Sequence, residues 1–152
     1  MNARTALATV CLLLPPLTAQ ADDKSHAFTN LFGKERTDTW WSTMAECAGR
    51  AKSLTSLTTV LKRGDPKEVE DRTTMFWIIA VSRIQRDRAV SEDEASKIVF
   101  ERAQEGYQLQ EQANLTYTAA SKMDWEYDRR LADCERHLNA YAAAFPEDFK
   151  RQ

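Results

Sequence analysis

A chain of 152 residues with 21 basic and 23 acidic side chains carries a net charge of −2. That balance supplies no basic face for nucleic acid and no cationic surface for an anionic membrane. Only four glycines are present, too few for a glycine-rich phosphate loop.

Residues 1–21 read as a secretory signal peptide. Arg4 is the only charge there, residues 7–17 form a mostly apolar segment, and Ala19-Gln20-Ala21 is a small-x-small cleavage site. Pro15-Pro16 interrupts the apolar run, which is too short for a transmembrane anchor. Cys11 lies inside that run and is followed by Leu12, which does not suit lipid attachment. Cleavage after Ala21 predicts a soluble periplasmic protein in which 20 basic side chains face 23 acidic ones. Residues 22–36 form a polar leader with scattered Phe28, Leu31 and Phe32, and the folded domain spans 37–152.

Four helical patterns follow, without a strand pattern. The first runs over about 38–63 and stops at Gly64; Trp40, Met44, Cys47, Ala51, Leu54, Thr58 and Leu61 form its apolar stripe at three- and four-residue steps. The second opens on Asp65 as N-cap, Pro66 at the first helical position and Glu68 three after the cap, and continues to about Arg88. The third has a capping box in Ser91–Glu94 and a stripe of Ala95, Ile98, Val99, Ala103, Gly106, Leu109 and Ala113. The fourth begins near Ser121, with Asp124 as its box residue, and ends before Pro146. Its stripe is Tyr127, Leu131, Cys134, Leu138, Tyr141, Ala142 and Phe145. No Gly or Pro marks the junction over 114–120, so the last two patterns could also be one kinked helix.

The expected fold is all-α: an antiparallel bundle of about four helices, up-down-up-down, with the first and last adjacent. Cys47 and Cys134 then sit at matching levels in the centres of their stripes, and an oxidising compartment favours their pairing. The disulfide closes a loop of about 88 residues, worth at most about 4–5 kcal/mol in the chain-entropy model.

Catalytic, cofactor and metal motifs are absent. There is no Cys-x-x-Cys-His for haem, no Glu-x-x-His for a di-iron centre and no Gly-x-Ser-x-Gly elbow. Cys134-x-x-His137 with Cys47 offers three zinc ligands, but a disulfide would destroy that set; the better reading pairs Asp133 with His137 on an exposed face. Glu46 and Glu126, each near a tryptophan, fit surface ion pairs with Arg50 and Arg130 better than a glycosidase pair. Arg72, Arg83, Arg86 and Arg88 read as a solvated face. No catalytic residue, cofactor or metal is expected.

Two helices carry too little polar surface. Opposite its core stripe, the first shows Ser42, Ala45, Gly49, Ser53, Ser56 and Val60, with Trp41 at the boundary, so that Trp40 and Trp41 should not be equally deep. Gly49 in mid-helix implies that another segment approaches closely. In the second helix, residues 75–81 are apolar all round. Either the leader covers these faces, or Trp41, Ala45, Gly49, Ser53 and Ser56, with Trp77 and Ile78, form a surface for another envelope protein or a second copy. The expected function is non-enzymatic protein–protein binding of an inhibitor, assembly-factor or chaperone-like kind. The alternative is a carrier of a small apolar ligand in a pocket among Trp40, Trp77, Tyr127 and Tyr141.

Overall fold

The computed structural model describes residues 39–62, 64–118 and 123–150; the signal-peptide and leader expectations, and the Ser121 cap, lie outside them. Among the described residues four α-helices occur in the expected order: α1 (Trp40–Leu61), α2 (Pro66–Arg88), α3 (Glu92–Thr118) and α4 (Met123–Ala144), followed by a 3-10 turn at Pro146–Phe149. No strand occurs among the described residues, and α3 and α4 are separate elements.

The helix starts follow the local chemistry. The Asp65 carboxylate accepts from the Lys67 amide at 2.9 Å, with Pro66 in the first turn of α2. The Ser91 hydroxyl accepts from the Glu94 amide at 3.3 Å, and Thr39 caps α1 by accepting from the Ser42 amide at 3.3 Å. The α1 end differs in detail from the expectation. The helix closes on Lys62, in the left-handed region at φ 52°, before Gly64 is reached. Ala89 closes α2 in the same way.

The bundle is not four equivalent helices around one axis. Helix α1 is its central member, packed extensively on both α2 and α3 and more lightly on α4. Every residue from Trp40 to Ala51 is buried. Residue pairing from Glu46–Arg102 through Ser53–Glu111 shows that α1 and α3 run parallel. Cys47–Cys134 and Trp40–Phe145 show that α1 and α4 run antiparallel, as expected. The two cysteines stand at disulfide distance, with Cα atoms 5.6 Å apart.

Burial of α1 on all sides answers the puzzle of its uncharged back. The segment that approaches Gly49 is α3 of the same chain. A Cβ on Gly49 would collide with the Ala103 carbonyl and stand 2.8 Å from the Tyr107 amide nitrogen; a Cβ on Gly106 would stand 3.0 Å from the Glu46 Cα. Two glycines, one on each helix, therefore let the backbones touch. Trp40 and Trp41 are equally deep, at 7% and 8% exposure, contrary to the expectation. Trp40 meets Tyr141 and Phe145 edge-on, whereas Arg88 lies 4.9 Å above the Trp41 ring. A helix covered on opposite sides has no shallow edge. In the apolar run of α2, Phe76, Ala80 and Val81 are buried, Met75, Trp77 and Ile79 are half-buried, and Ile78 is 57% exposed.

Gly49→Ala should gain helix propensity yet lose stability overall, because the new methyl group meets backbone rather than a movable side chain. A net loss of about 1–3 kcal/mol in denaturant unfolding is expected. Ser56→Ala, on the exposed part of the same helix, should change stability little.

Candidate functional site

The largest correction concerns the proposed partner surface. Trp41, Ala45, Gly49 and Ser53 are buried inside the monomer, so they do not form an exposed face for a second protein. Of that set, Ser56 and Ile78 are exposed and Trp77 is half-buried. The small residues do serve close helix packing, but the helix packed on them is α3.

The α1–α3 seam is also polar where a stripe of apolar residues was expected to continue. Leu109 is 44% exposed, and Gln110 and Asn114 are buried in its place. Glu46 is at the head of a connected ladder. It accepts from Arg50 at 2.7 and 3.0 Å and pairs with Arg102 through its other oxygen. Arg50 donates to Gln110 at 3.4 Å, and Gln110 donates to Asn114 at 2.9 Å. Asn114 donates to the Ser53 hydroxyl at 3.0 Å, which donates to Glu111 at 2.6 Å. The Glu46–Arg50 spacing is therefore an ion pair in the core, not on the surface as expected; Glu126 and Arg130 lie outside the described side chains. A carboxylate held between two guanidiniums is engaged in structure and is poorly placed for acid–base work.

His137 is likewise not on an exposed face. It is fully buried, with Nδ1 3.9 Å from the Cys47 sulfur, and Asp133 beside it is buried as well. Burial pushes the imidazole down from 6.5 to about 4, against the raising fields of Asp133 and Glu46 and with the lowering fields of Arg136 and Arg50. The neutral ring packs against the disulfide. No group of three or more His, Cys, Asp or Glu with metal-holding geometry occurs among the described residues.

The arginines of α2 were expected to be solvated. Arg83 instead lies 4.2 Å over the Phe145 ring and pairs with Asp87 and Asp148; Arg86 also pairs with Asp148, and Arg72 joins Glu68 to Glu135. These contacts fasten α4 and the 3-10 turn after it to α2. Burial raises the Tyr141 phenol, partly offset by Arg83.

The expected ligand pocket does not assemble as drawn. Trp40 and Tyr141 are core residues whose ring centroids lie 5.8 Å apart, and the Tyr127 side chain is outside the described residues. Trp77 belongs to a different feature: an open cleft of about 450 Å³ between α2 and α3, floored by α1. Ala48 and Gly49 form the floor, Trp77 one wall, and Phe100 and Tyr107 the other. It exists because α2 and α3 both sit on α1 and meet each other much less. Small floor residues add depth. Phe100 and Tyr107 were absent from the sequence reading; they fall at i and i+7 on α3, on the side where Ala103 and Gly106 stand, and that spacing was the available signal.

Two outcomes follow from the buried charges. Glu46→Gln should destabilise the fold by about 3–5 kcal/mol, because Arg50 and Arg102 lose their shared counter-charge. His137 should make the protein acid-sensitive. Above about pH 6.5 both states hold the ring neutral. Between 6.5 and about 4 the unfolded chain takes a proton that the folded chain refuses, so stability falls, by at most about 3 kcal/mol when complete. Unfolding free energies of wild type and His137→Gln across pH 7.5–4.5 should differ in slope over that window. No family model, curated protein or solved structure matches the chain, so its function is argued from this geometry.

Proposed function

We propose that this is an exported, non-enzymatic binding protein that holds a small apolar ligand in the α1–α2–α3 cleft. The observation that carries this reading is the cleft itself: about 450 Å³, walled by Trp77, Phe100 and Tyr107 on a floor of Ala48 and Gly49. Small-molecule sites are commonly about 300–1,000 Å³, mostly apolar, with few polar groups. Thr73 and Thr74 also line it, but their hydroxyls donate to the Val69 and Glu70 carbonyls and leave the wall largely apolar. Export is supported by two cysteines at disulfide distance in the core, a pairing that persists in oxidising compartments.

A second reading keeps the cleft and changes the guest: an apolar segment of another envelope protein, with rings or aliphatic side chains seated between the walls. Phe100 at the rim is 51% exposed and Ile78 on α2 is 57% exposed, which extends apolar surface beyond the cleft.

Native mass spectrometry of protein purified from the periplasm without detergent separates the two. A retained mass of a few hundred daltons, lost in Phe100→Ala, is expected for the carrier. Capture of a defined protein, abolished by Ile78→Asp, would favour the second reading. A bare monomer whose behaviour neither substitution alters would sink both.

A further inference from the structure

Resting on that reading of the cleft, we infer that the ligand it takes is an amphiphile with a single anionic group, read by Lys52. Among the described residues, Lys52 is the one charged side chain lining the cleft, and no acidic side chain lines it. The chain has more acidic than basic residues, whereas the described lining of the cleft carries one lysine and no carboxylate.

The remaining lysines and arginines of the neighbourhood are committed differently. Arg50, two residues before Lys52 on α1, is locked onto Glu46 and Gln110; Arg102, on α3, is locked onto Glu46 and Glu105. Lys52 makes no ion pair with any described residue and is exposed. An alkylammonium on a flexible stem can lay its methylenes along the apolar wall and keep its charge at the mouth. The neutral polar groups at hand are the Gln104 amide and the Tyr107 phenol, both lining the cleft. Both can donate to a carboxylate, sulfonate or phosphate oxygen.

The geometry thus divides the ligand into two parts. An apolar body displaces water from between Trp77 and Phe100 and from above Ala48 and Gly49, which supplies most of the affinity. The anionic head stays at the rim beside Lys52, partly solvated. Its contribution is selectivity rather than strength, since an exposed charge pair is screened by water and salt. Buried deeply, the same head would lose more by desolvation than one lysine returns. A position at the mouth avoids this.

Three twelve-carbon probes of similar length, below their micelle concentrations, test the assignment on the purified oxidised protein by calorimetry: dodecanoate, 1-dodecanol and dodecyltrimethylammonium. Wild type should bind dodecanoate about fivefold more tightly than dodecanol, and the cation most weakly. The preference should shrink in 0.5 M salt. Lys52→Gln, a change at an exposed position, should bring dodecanoate and dodecanol to similar affinities; circular dichroism checks its fold. Phe100→Ala should weaken all three. Equal affinities for dodecanoate and dodecanol in wild type would overturn the anion assignment and leave the cleft as an apolar site. A preference for dodecanoate that survives Lys52→Gln would also overturn it. Binding of none of the probes to folded protein would remove the cleft reading together with this inference.

Discussion

The approach of α1 to α3 through Gly49 and Gly106 is the constraint on which the rest depends. Each glycine stands where a Cβ would strike the backbone of the opposite helix. Once the backbones are that close, the side chains flanking the contact must be either very small or able to reach along the seam. Ala45 and Ala103 meet the first condition. Glu46, Arg50, Ser53, Gln110 and Asn114 meet the second by joining into one hydrogen-bonded ladder. Glycine in a helix costs about 1 kcal/mol relative to alanine. That cost is accepted twice here because a wider spacing would open the seam and leave buried polar groups without partners, at about 1–3 kcal/mol each.

The ladder also explains how two parallel helices keep a single register. Apolar residues tolerate sliding, whereas Glu46 must face Arg102, and Ser53 must face both Asn114 and Glu111. A shift by one turn would break every one of those pairs together. On the opposite side of α1, the Cys47–Cys134 pair and the Trp40–Tyr141–Phe145 cluster set the height of α4. Register is thus fixed by directional contacts on both flanks of one helix, and on the α2 side by apolar packing together with Arg88 over the Trp41 ring.

Much of the fold was legible because it is written in local signals: the Asp65-Pro66 start, the Ser91 capping box, the three- and four-residue steps of Trp40, Met44 and Cys47. The cysteine pairing was legible because both residues fall at stripe centres at matching levels. What was not legible was the layering. A helix buried all round looks, on a helical wheel, like a helix with a second exposed apolar face, and Trp41, Ala45, Gly49 and Ser53 were read as surface for that reason. Glu46–Arg50 and Asp133–His137 have the spacing of ordinary surface pairs, and spacing carries no information on depth. Gln110 and Asn114 escaped notice because polar residues at core positions follow no hydrophobic period; only their i,i+4 complementarity, with Ser53 opposite, could have marked them. The cleft failed for a related reason: Trp77 was recognised as unusual, but its neighbours Phe100 and Tyr107 are brought to it by the α1–α3 contact.

That same contact decides why the cleft is open at all. With α3 drawn tightly onto α1 by two glycines, and α2, whose Phe76, Ala80 and Ile84 are buried, packed extensively on α1 as well, the surfaces of α2 and α3 that would otherwise close over α1 remain apart. Filling the space would take either large residues at positions 48 and 49 or a longer reach from both walls. Position 49 cannot take a side chain without breaking the seam, so that part of the floor stays low wherever the seam is kept. The low floor at Gly49 and the ladder are therefore two consequences of one close helix contact, and a side chain at Gly49, which would meet the α3 backbone, disturbs both.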